Sequence, residues 1–200
     1  MNIGYFTSRD YVLDHVYVAV QKPSAEEIIK RPCMNLEAYL RVTLDGALDG
    51  GTYKVTPGLL DLAGTTEEEL WDAATKNSIN HFTIFSMAEA MGFDDDSPMY
   101  VATYDNNLGY GASVICFPEV FRDFCMDHDE ESCIILPSST MEMILLSGSA
   151  MQEYGMLPAE LEGIVKSVND TLVDPVMQLE EVVYEFSTHT GRISVVSEEV

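Results

Sequence analysis

The sequence predicts an α+β fold, in which helices pack on a mainly antiparallel sheet. Pairs of short β-branched and aromatic segments are interleaved with single helical segments, whereas a parallel sheet would require a regular alternation of strand and helix. The chain has 46% hydrophobic and 10% aromatic residues, so it can bury a core. Its 200 residues fit a single domain, residues 1–200, and the acidic stretch 92–98 (GFDDDSP) is a candidate subdomain boundary.

The first elements come from three local patterns. The segment 15–20 (HVYVAV) is rich in β-branched and aromatic residues, which predicts a strand. Ser24 and Glu27 have the spacing of a capping box, which predicts a short helix closed by Pro32. Apolar and polar residues alternate over 36–44, which predicts a strand with one buried face.

The next stretch is rich in turn and helix-start signals. Glycine and aspartate predict a turn at 45–51, and a short strand follows around 53–55. A threonine–proline pair predicts a helical turn over 56–64 that a glycine ends, because proline favours the first helical position and glycine follows the last. Two threonines followed by three glutamates start another helix at 65. The apolar residues of 79–91 do not distinguish helix from strand.

The pattern is clearest after residue 98. Four segments read as strands of one antiparallel sheet: 99–104, 112–117, 133–136 and 141–146. A helix from Pro118 covers this sheet. The apolar face of that helix consists of Val120, Phe121, Phe124 and Cys125.

Two elements complete the chain. A helix from Pro158 carries apolar residues at 3.6-residue spacing, which predicts one buried face. The residues of this face are Leu161, Ile164, Val165, Val168 and Leu172. A hairpin follows, formed by 182–186 and 193–196 around the turn THTG.

Charge is the most unusual property of the composition. The chain has 34 acidic and 10 basic residues, and residues 77–200 contain 22 acidic residues against Arg122, Lys166 and Arg192 alone. Binding to nucleic acid requires clustered lysine and arginine to neutralise phosphates, so no nucleic-acid partner is expected. Anionic membrane surfaces are disfavoured for the same reason.

Other features predict a cytoplasmic protein. The N-terminus lacks the basic and apolar regions of a secretory signal, and no apolar run reaches the roughly 18 residues of a membrane-spanning helix. Cys33, Cys116, Cys125 and Cys133 show no framework spacing, which predicts reduced thiols.

The candidate ligand clusters are weak. Residues 127–131 (DHDEE) combine four carboxylates with His128, which could hold a divalent cation, but a solvated loop is the better interpretation. The same holds for 94–96 (DDD). The loop 105–109 (DNNLG) hints at a calcium site, but Cys116 stands where an EF-hand needs a glutamate. We therefore predict no metal and no cofactor.

The candidate nucleophiles are equally isolated. Ser138 and Ser139 fall in a predicted turn, and a serine nucleophile needs a base that a third group orients. The histidines (His15, His81, His128 and His189) are all distant from these serines in sequence. Cys33 follows two basic residues that could lower its pKa. A partly buried structural cysteine remains the simpler interpretation, so we predict no catalytic residue.

A family resemblance covers most of the chain. The stretch 99–146, with its GAS segment before Pro118, its ILPSS run and Glu142, resembles a family of uncharacterised bacterial proteins common in gut Firmicutes. The patch 168–194 is similar to the C-terminal end of that family, and the resemblance extends over about residues 12–200. Members usually carry a histidine in place of Met141 and an additional upstream segment. The resemblance implies a shared fold and a bacterial source, and it implies no activity.

These observations predict a non-enzymatic cytosolic binding or interaction module with a protein partner. The alternative is an acidic DNA mimic that occupies the basic groove of a DNA-binding protein, because charge complementarity governs the choice of partner. A hydrolase that uses Ser139 or a metal at 127–131 is the third hypothesis. The charge alone is also compatible with a role in solubility.

Overall fold

The computed structural model describes residues 3–44, 51–92, 97–105 and 109–196. In these residues, helices accompany two antiparallel sheets, which confirms the α+β fold. The strands are β1 (Val16–Gln21), β2 (Lys30–Cys33), β3 (Leu36–Thr43), β4 (Thr52–Lys54), β5 (Phe82–Ser86), β6 (Met99–Tyr104), β7 (Ser132–Ser139), β8 (Glu142–Ser147), β9 (Tyr184–Ser187) and β10 (Arg192–Val195). The helices are α1 (Ile3–Phe6), α2 (Arg9–His15), α3 (Pro57–Ala63), α4 (Glu67–Ile79), α5 (Met87–Met91), a 3-10 helix (Gly111–Cys116), α6 (Pro118–Asp127), α7 (Gly148–Tyr154) and α8 (Pro158–Leu172).

The first sheet is built around β3. This strand pairs with β1 along its length, with β2 at residues 36–39 and with β4 at residues 41–43. The predicted strand at 36–44 is therefore confirmed, but the prediction that only one face is buried is wrong. Glu37 and Arg41, which belong to the expected polar face, are only 8% and 9% exposed. Hydrogen bonds to neighbouring side chains allow these polar residues to be buried.

The second sheet has the strand order β10-β9-β7-β8-β6-β5. It contains three of the four segments predicted to share a sheet, and α6 packs against β7 and β9 as expected. The predicted hairpin at the C-terminus is confirmed as β9 and β10. Residues 79–91, which the sequence left undecided, contain the edge strand β5 and then α5.

The fourth predicted strand, 112–117, is instead the 3-10 helix, so that prediction is wrong. Nearly all of its residues are buried, so the sequence shows no alternation of apolar and polar residues that would distinguish a strand from a helix. Gly111 brings the segment close to β6: a Cβ on Gly111 would lie 2.5 Å from the Tyr104 backbone nitrogen. Local hydrogen bonds, such as Ser113 N to Tyr110 O at 3.2 Å, then satisfy the backbone within the core.

The predicted helix after Ser24 is also wrong. Residues 23–27 have no regular secondary structure, and Pro32 lies in β2 at the sheet edge, where its missing N–H costs no ladder hydrogen bond. The Ser24 hydroxyl donates to Glu37 Oε1 at 2.6 Å instead of capping a helix. Lys30 forms an ion pair with the same carboxylate at 3.0 Å, so this segment is fixed to β3 rather than folded on itself.

The helix predictions elsewhere are confirmed. Gly64 ends α3 with a left-handed φ of 64°, and Thr66 begins α4 in a capping box with Glu69. The helix α8 begins as expected, but its buried face consists of Leu161, Val165 and Asn169. Ile164 and Leu172, predicted to be buried, are 49% and 81% exposed. The predicted turn at 45–51 and the candidate boundary at 92–98 lie largely outside the described residues.

The two sheets share one cluster of buried side chains, and Tyr104 connects them. The Tyr104 hydroxyl donates to Val18 O of β1 at 2.9 Å and accepts from the Ser113 hydroxyl at 2.9 Å. The Val18 N–H in turn donates to the Ser78 hydroxyl of α4 at 2.9 Å. This chain of hydrogen bonds joins β6, the 3-10 helix, β1 and α4. Burial raises the pKa of Tyr104, so the phenol keeps its proton at any physiological pH.

We predict that Tyr104→Phe destabilises the protein by about 1–3 kcal/mol, because the Ser113 hydroxyl and the Val18 carbonyl lose their partner inside the core. Urea unfolding measures the change. Tyr154→Phe removes the same atom from a side chain that is 58% exposed, so it serves as the control and its stability should match the wild type. Equal stability of all three proteins would show that the Tyr104 hydroxyl does not hold the sheets together.

Candidate functional site

A cleft of about 560 Å³ opens between β5 and α6. Its floor is apolar and largely aromatic. The floor residues are Ile79, Phe82, Ile84, Phe85, Tyr100, Val120 and Phe124. Four carboxylates line the same cleft: Glu89, Glu119, Asp123 and Asp127. We call this site the acidic cleft.

The residues of α6 and β5 give the acidic cleft both apolar and charged side chains. The helix α6 starts at Pro118, and its apolar face buries Phe121 and Phe124, while its carboxylates recur every four residues and line the cleft beside that face. Among the described strands, β5 pairs with β6 alone and therefore forms one edge of the second sheet. All five residues of β5 are half-buried, which leaves apolar surface within reach of a ligand.

Three of the four carboxylates are not neutralised. Asp123 forms an ion pair with Arg122 at 2.9 Å. For Glu89, Glu119 and Asp127, the described contacts include no hydrogen bond and no ion pair. Uncompensated negative charges around an apolar floor attract a ligand that is both cationic and apolar.

His128 lies at one end of the acidic cleft. Its Nδ1 atom is 2.8 Å from the Phe124 carbonyl oxygen, which fits a proton on Nδ1, and its ring lies 4.9 Å from the ring of Tyr100. The ring therefore packs against the aromatic floor. The other ring nitrogen, Nε2, has no hydrogen bond among the described contacts and can act as an acceptor.

The structure does not assemble the candidate metal cluster at 127–131. Among the residues that are described, no group of three or more histidine, cysteine, aspartate or glutamate side chains is placed to hold a metal ion. Glu130 turns away and accepts a hydrogen bond from Ser149 N at 3.0 Å. Although burial opposes it, the hydrogen bonds from Ser149 lower the pKa of Glu130, so this carboxylate stays charged at the start of α7. The candidate cluster at 94–96 lies outside the described residues.

The candidate nucleophiles stay apart from the histidines. Ser138 and Ser139 belong to the end of β7, and the Ser139 hydroxyl accepts from Met141 N at 3.1 Å in the hairpin turn. His15 stacks on Tyr11, and His81 pairs with Asp105. Within the described contacts, Ser139 has a turn-forming role and no base beside it.

A family model, described as a family of unknown function (DUF5688), matches residues 4–188. The chain belongs to this family. The resemblance found in the sequence is thereby confirmed, and it assigns no activity. No curated protein and no solved structure matches the chain significantly.

No helix in the described part of this DUF5688 domain combines the length and the apolar character that crossing a membrane requires.

The four cysteines, which are scattered in sequence, form two neighbouring pairs in space. The sulfur atoms of Cys33 and Cys116 lie 2.8 Å apart, and Cys125 hydrogen-bonds with Cys133. None of the four forms a disulfide in the structure. The hydrogen bond from Cys116 lowers the pKa of Cys33, whereas the contact with Cys33, together with burial, raises the pKa of Cys116. Sequence reasoning missed the first pair because 83 residues separate Cys33 from Cys116. It missed the second because Cys125 lies in α6 and Cys133 in β7, so only the packing of these two elements brings them together.

We predict that mild hydrogen peroxide joins Cys33 to Cys116. One peroxide accepts two electrons and two protons from the two thiols, giving one disulfide and two water molecules. Before oxidation, the unfolded protein should titrate with four thiols, and after oxidation with two. Peptide mass spectrometry identifies the bridge, and Cys116→Ser should keep all its remaining thiols. A bridge that forms first between Cys125 and Cys133, whose side chains are buried, would contradict this order of reactivity.

Proposed function

We propose that the protein is a binding module whose acidic cleft takes a positively charged, partly apolar segment of a protein partner. The combination of unpaired carboxylates with an aromatic floor carries this proposal. Lysine or arginine side chains of the partner would meet Glu89, Glu119 and Asp127, and apolar side chains would cover Phe82 and Tyr100. Aromatic and arginine contacts are the groups that supply most binding energy in protein interfaces.

The size of the acidic cleft suits a segment rather than a whole domain. A volume of about 560 Å³ accommodates a few side chains, comparable with the pockets that hold small ligands. The free edge of β5 adds backbone N–H and C=O groups that an extended segment can pair with. A segment that uses both features would be recognised both by its positive charge and by its apolar side chains.

The charge distribution supports a basic partner. Residues 77–200 contain 22 acidic and 3 basic residues, and the acidic cleft lies mostly within this part of the chain. This field accelerates the approach of a cationic segment, with an effect that salt screens beyond about 8–10 Å.

The same features favour a protein segment over the groove of a DNA-binding protein. A DNA mimic needs carboxylates arrayed along a surface in place of phosphates, whereas the acidic cleft places its carboxylates around an apolar floor. The hydrolase hypothesis has less support, because the described contacts bring no base to Ser139.

A defined peptide tests the proposal. We expect an amphipathic peptide of lysine and leucine to bind the wild type with an affinity that falls as salt rises. A variant carrying Glu89→Gln, Glu119→Gln and Asp127→Asn should bind the peptide at least about tenfold more weakly, the equivalent of about 1.4 kcal/mol. Isothermal titration calorimetry measures both affinities.

The matched control removes three exposed charges elsewhere, with Glu27→Gln, Asp61→Asn and Glu153→Gln. Its net charge equals that of the cleft variant, so it should bind like the wild type at moderate salt. If the two variants lose affinity equally, binding reflects the overall charge and the acidic cleft is not the site. A lysine peptide without leucine should bind more weakly than the amphipathic one, and equal binding would exclude a role for the aromatic floor.

A further inference from the structure

Among the described residues, Arg41 is a buried positive charge that forms no ion pair with a carboxylate. Six of the ten basic side chains form ion pairs with carboxylates. Of the four basic residues without such a pair among the described contacts, Lys22, Lys76 and Arg192 are exposed. Arg41 is only 9% exposed. Its situation is unusual in a chain with a formal net charge of −24.

The described hydrogen-bond partners of Arg41 are neutral. Its Nε atom donates to the Thr52 hydroxyl at 2.9 Å, and Nη1 donates to the Tyr39 hydroxyl at 3.4 Å. The Tyr110 ring centroid lies 4.1 Å from the guanidinium carbon. Burial raises the pKa of Tyr39 to about 12, and burial also raises the pKa of Tyr17 beside it. Neither phenol is therefore ionised at neutral pH, and neither supplies the missing negative charge.

A cleft of about 330 Å³ gives access to this guanidinium, and we call it the arginine cleft. Lys54, the cross-strand partner of Arg41 in the β3–β4 pair, lines it together with the exposed Lys22. Lys54 reaches Glu26 and Gln21, so one carboxylate partly balances its charge. The arginine cleft thus gathers three of the ten basic residues of the chain.

Two further features indicate a prepared site. Thr140 lines the arginine cleft, is 4% exposed, and carries a buried hydroxyl oxygen that has no hydrogen-bond partner in the described part of the chain. Tyr110 has a left-handed φ of 63°, which is uncommon for a bulky residue, and this conformation places its ring over Arg41. Strained backbone and unsatisfied polar groups concentrate at binding sites, where a ligand provides the compensation.

We propose that the arginine cleft binds a small molecule through an oxyanion, either a phosphate or a carboxylate. The guanidinium has five N–H donors, and its hydrogen bonds to Thr52, Tyr39 and Tyr17 engage up to four of them, which leaves at least one N–H for an oxyanion. Lys54 supplies the second cation, and the rings of Tyr39 and Tyr110 form apolar walls for the rest of the ligand. The cleft volume is in the range of small-molecule pockets. This site is separate from the acidic cleft and does not depend on the proposed partner segment.

Thermal unfolding in three salts of equal ionic strength and pH tests this site. Sodium phosphate or sodium acetate should raise the melting temperature of the wild type by several degrees in a saturable way, compared with sodium chloride. A rise with phosphate alone identifies a phosphate site, and a rise with acetate alone identifies a carboxylate site. If neither anion changes the melting temperature relative to chloride, the proposal is overturned.

Arg41→Met separates an anion site from a structural role. It removes an uncompensated buried charge, so in chloride its melting temperature should stay within a few degrees of the wild type or rise. The anion-dependent increase should disappear. Arg122→Met removes an exposed arginine and should retain the increase. A variant that loses much stability in chloride yet keeps the full anion-dependent shift would show that Arg41 acts only in packing.

Lys54→Met provides the second variant if Arg41→Met does not fold. Its anion-dependent shift should be smaller than that of the wild type, because the second cation of the cleft is lost. An unchanged shift in Lys54→Met would place the anion elsewhere and overturn the assignment to the arginine cleft. Calorimetric titration of the wild type with phosphate and with acetate provides the affinity without any substitution.

Discussion

The hydroxyl group of Tyr104 makes a buried hydrogen bond that joins the two sheets of this molecule. It contacts Val18 O in the first sheet and Ser113 in the 3-10 helix, within a region that excludes water. Its ring stacks on Phe82 at 4.5 Å and meets Tyr17 edge-on at 5.8 Å. Phe82 belongs to the floor of the acidic cleft, and Tyr17 lies beside Arg41. Tyr104 therefore contacts one residue that lines the acidic cleft and one residue that lies next to the arginine cleft.

The two clefts differ in the charge that their surroundings leave uncompensated. In the acidic cleft, three carboxylates have no partner among the described contacts, and water solvates their charges. In the arginine cleft, the buried guanidinium of Arg41 has only neutral hydrogen-bond partners among the described contacts, so the free-energy cost of its desolvation is much higher. Lys30, by contrast, is a partly buried cation that has a carboxylate partner. Glu37 balances that lysine, and hydrogen bonds from Ser24, Gln21 and Lys30 lower the pKa of Glu37 to about 2 despite the opposing effect of burial.

Local signals in the sequence predicted most elements whose structure depends on local interactions. The cap at Thr66, the glycine after α3 and the apolar face of α6 each involve residues within one or two helical turns. The predictions failed where contacts between residues distant in sequence determine the secondary structure. The segment 112–117 has strand-like residues, but Gly111 packs it against β6, and Ser24 has a capping pattern but bonds to Glu37. The pairing of Cys33 with Cys116 and the packing of Tyr110 over Arg41 depend on contacts between residues that are distant in sequence, so local patterns could not reveal them.

Amide chemical shifts of the isotope-labelled protein provide the most direct test of the claim that two separate clefts sort ligands by charge. Phosphate or acetate added to one sample, and a lysine–leucine peptide added to another, should perturb different residues. The anion should shift the resonances of β3, β4 and Thr140, and the peptide should shift those of β5 and α6, with little overlap. If both ligands shift one common set, or if the shifts spread evenly over the acidic surface, the account of two charge-selective clefts is wrong.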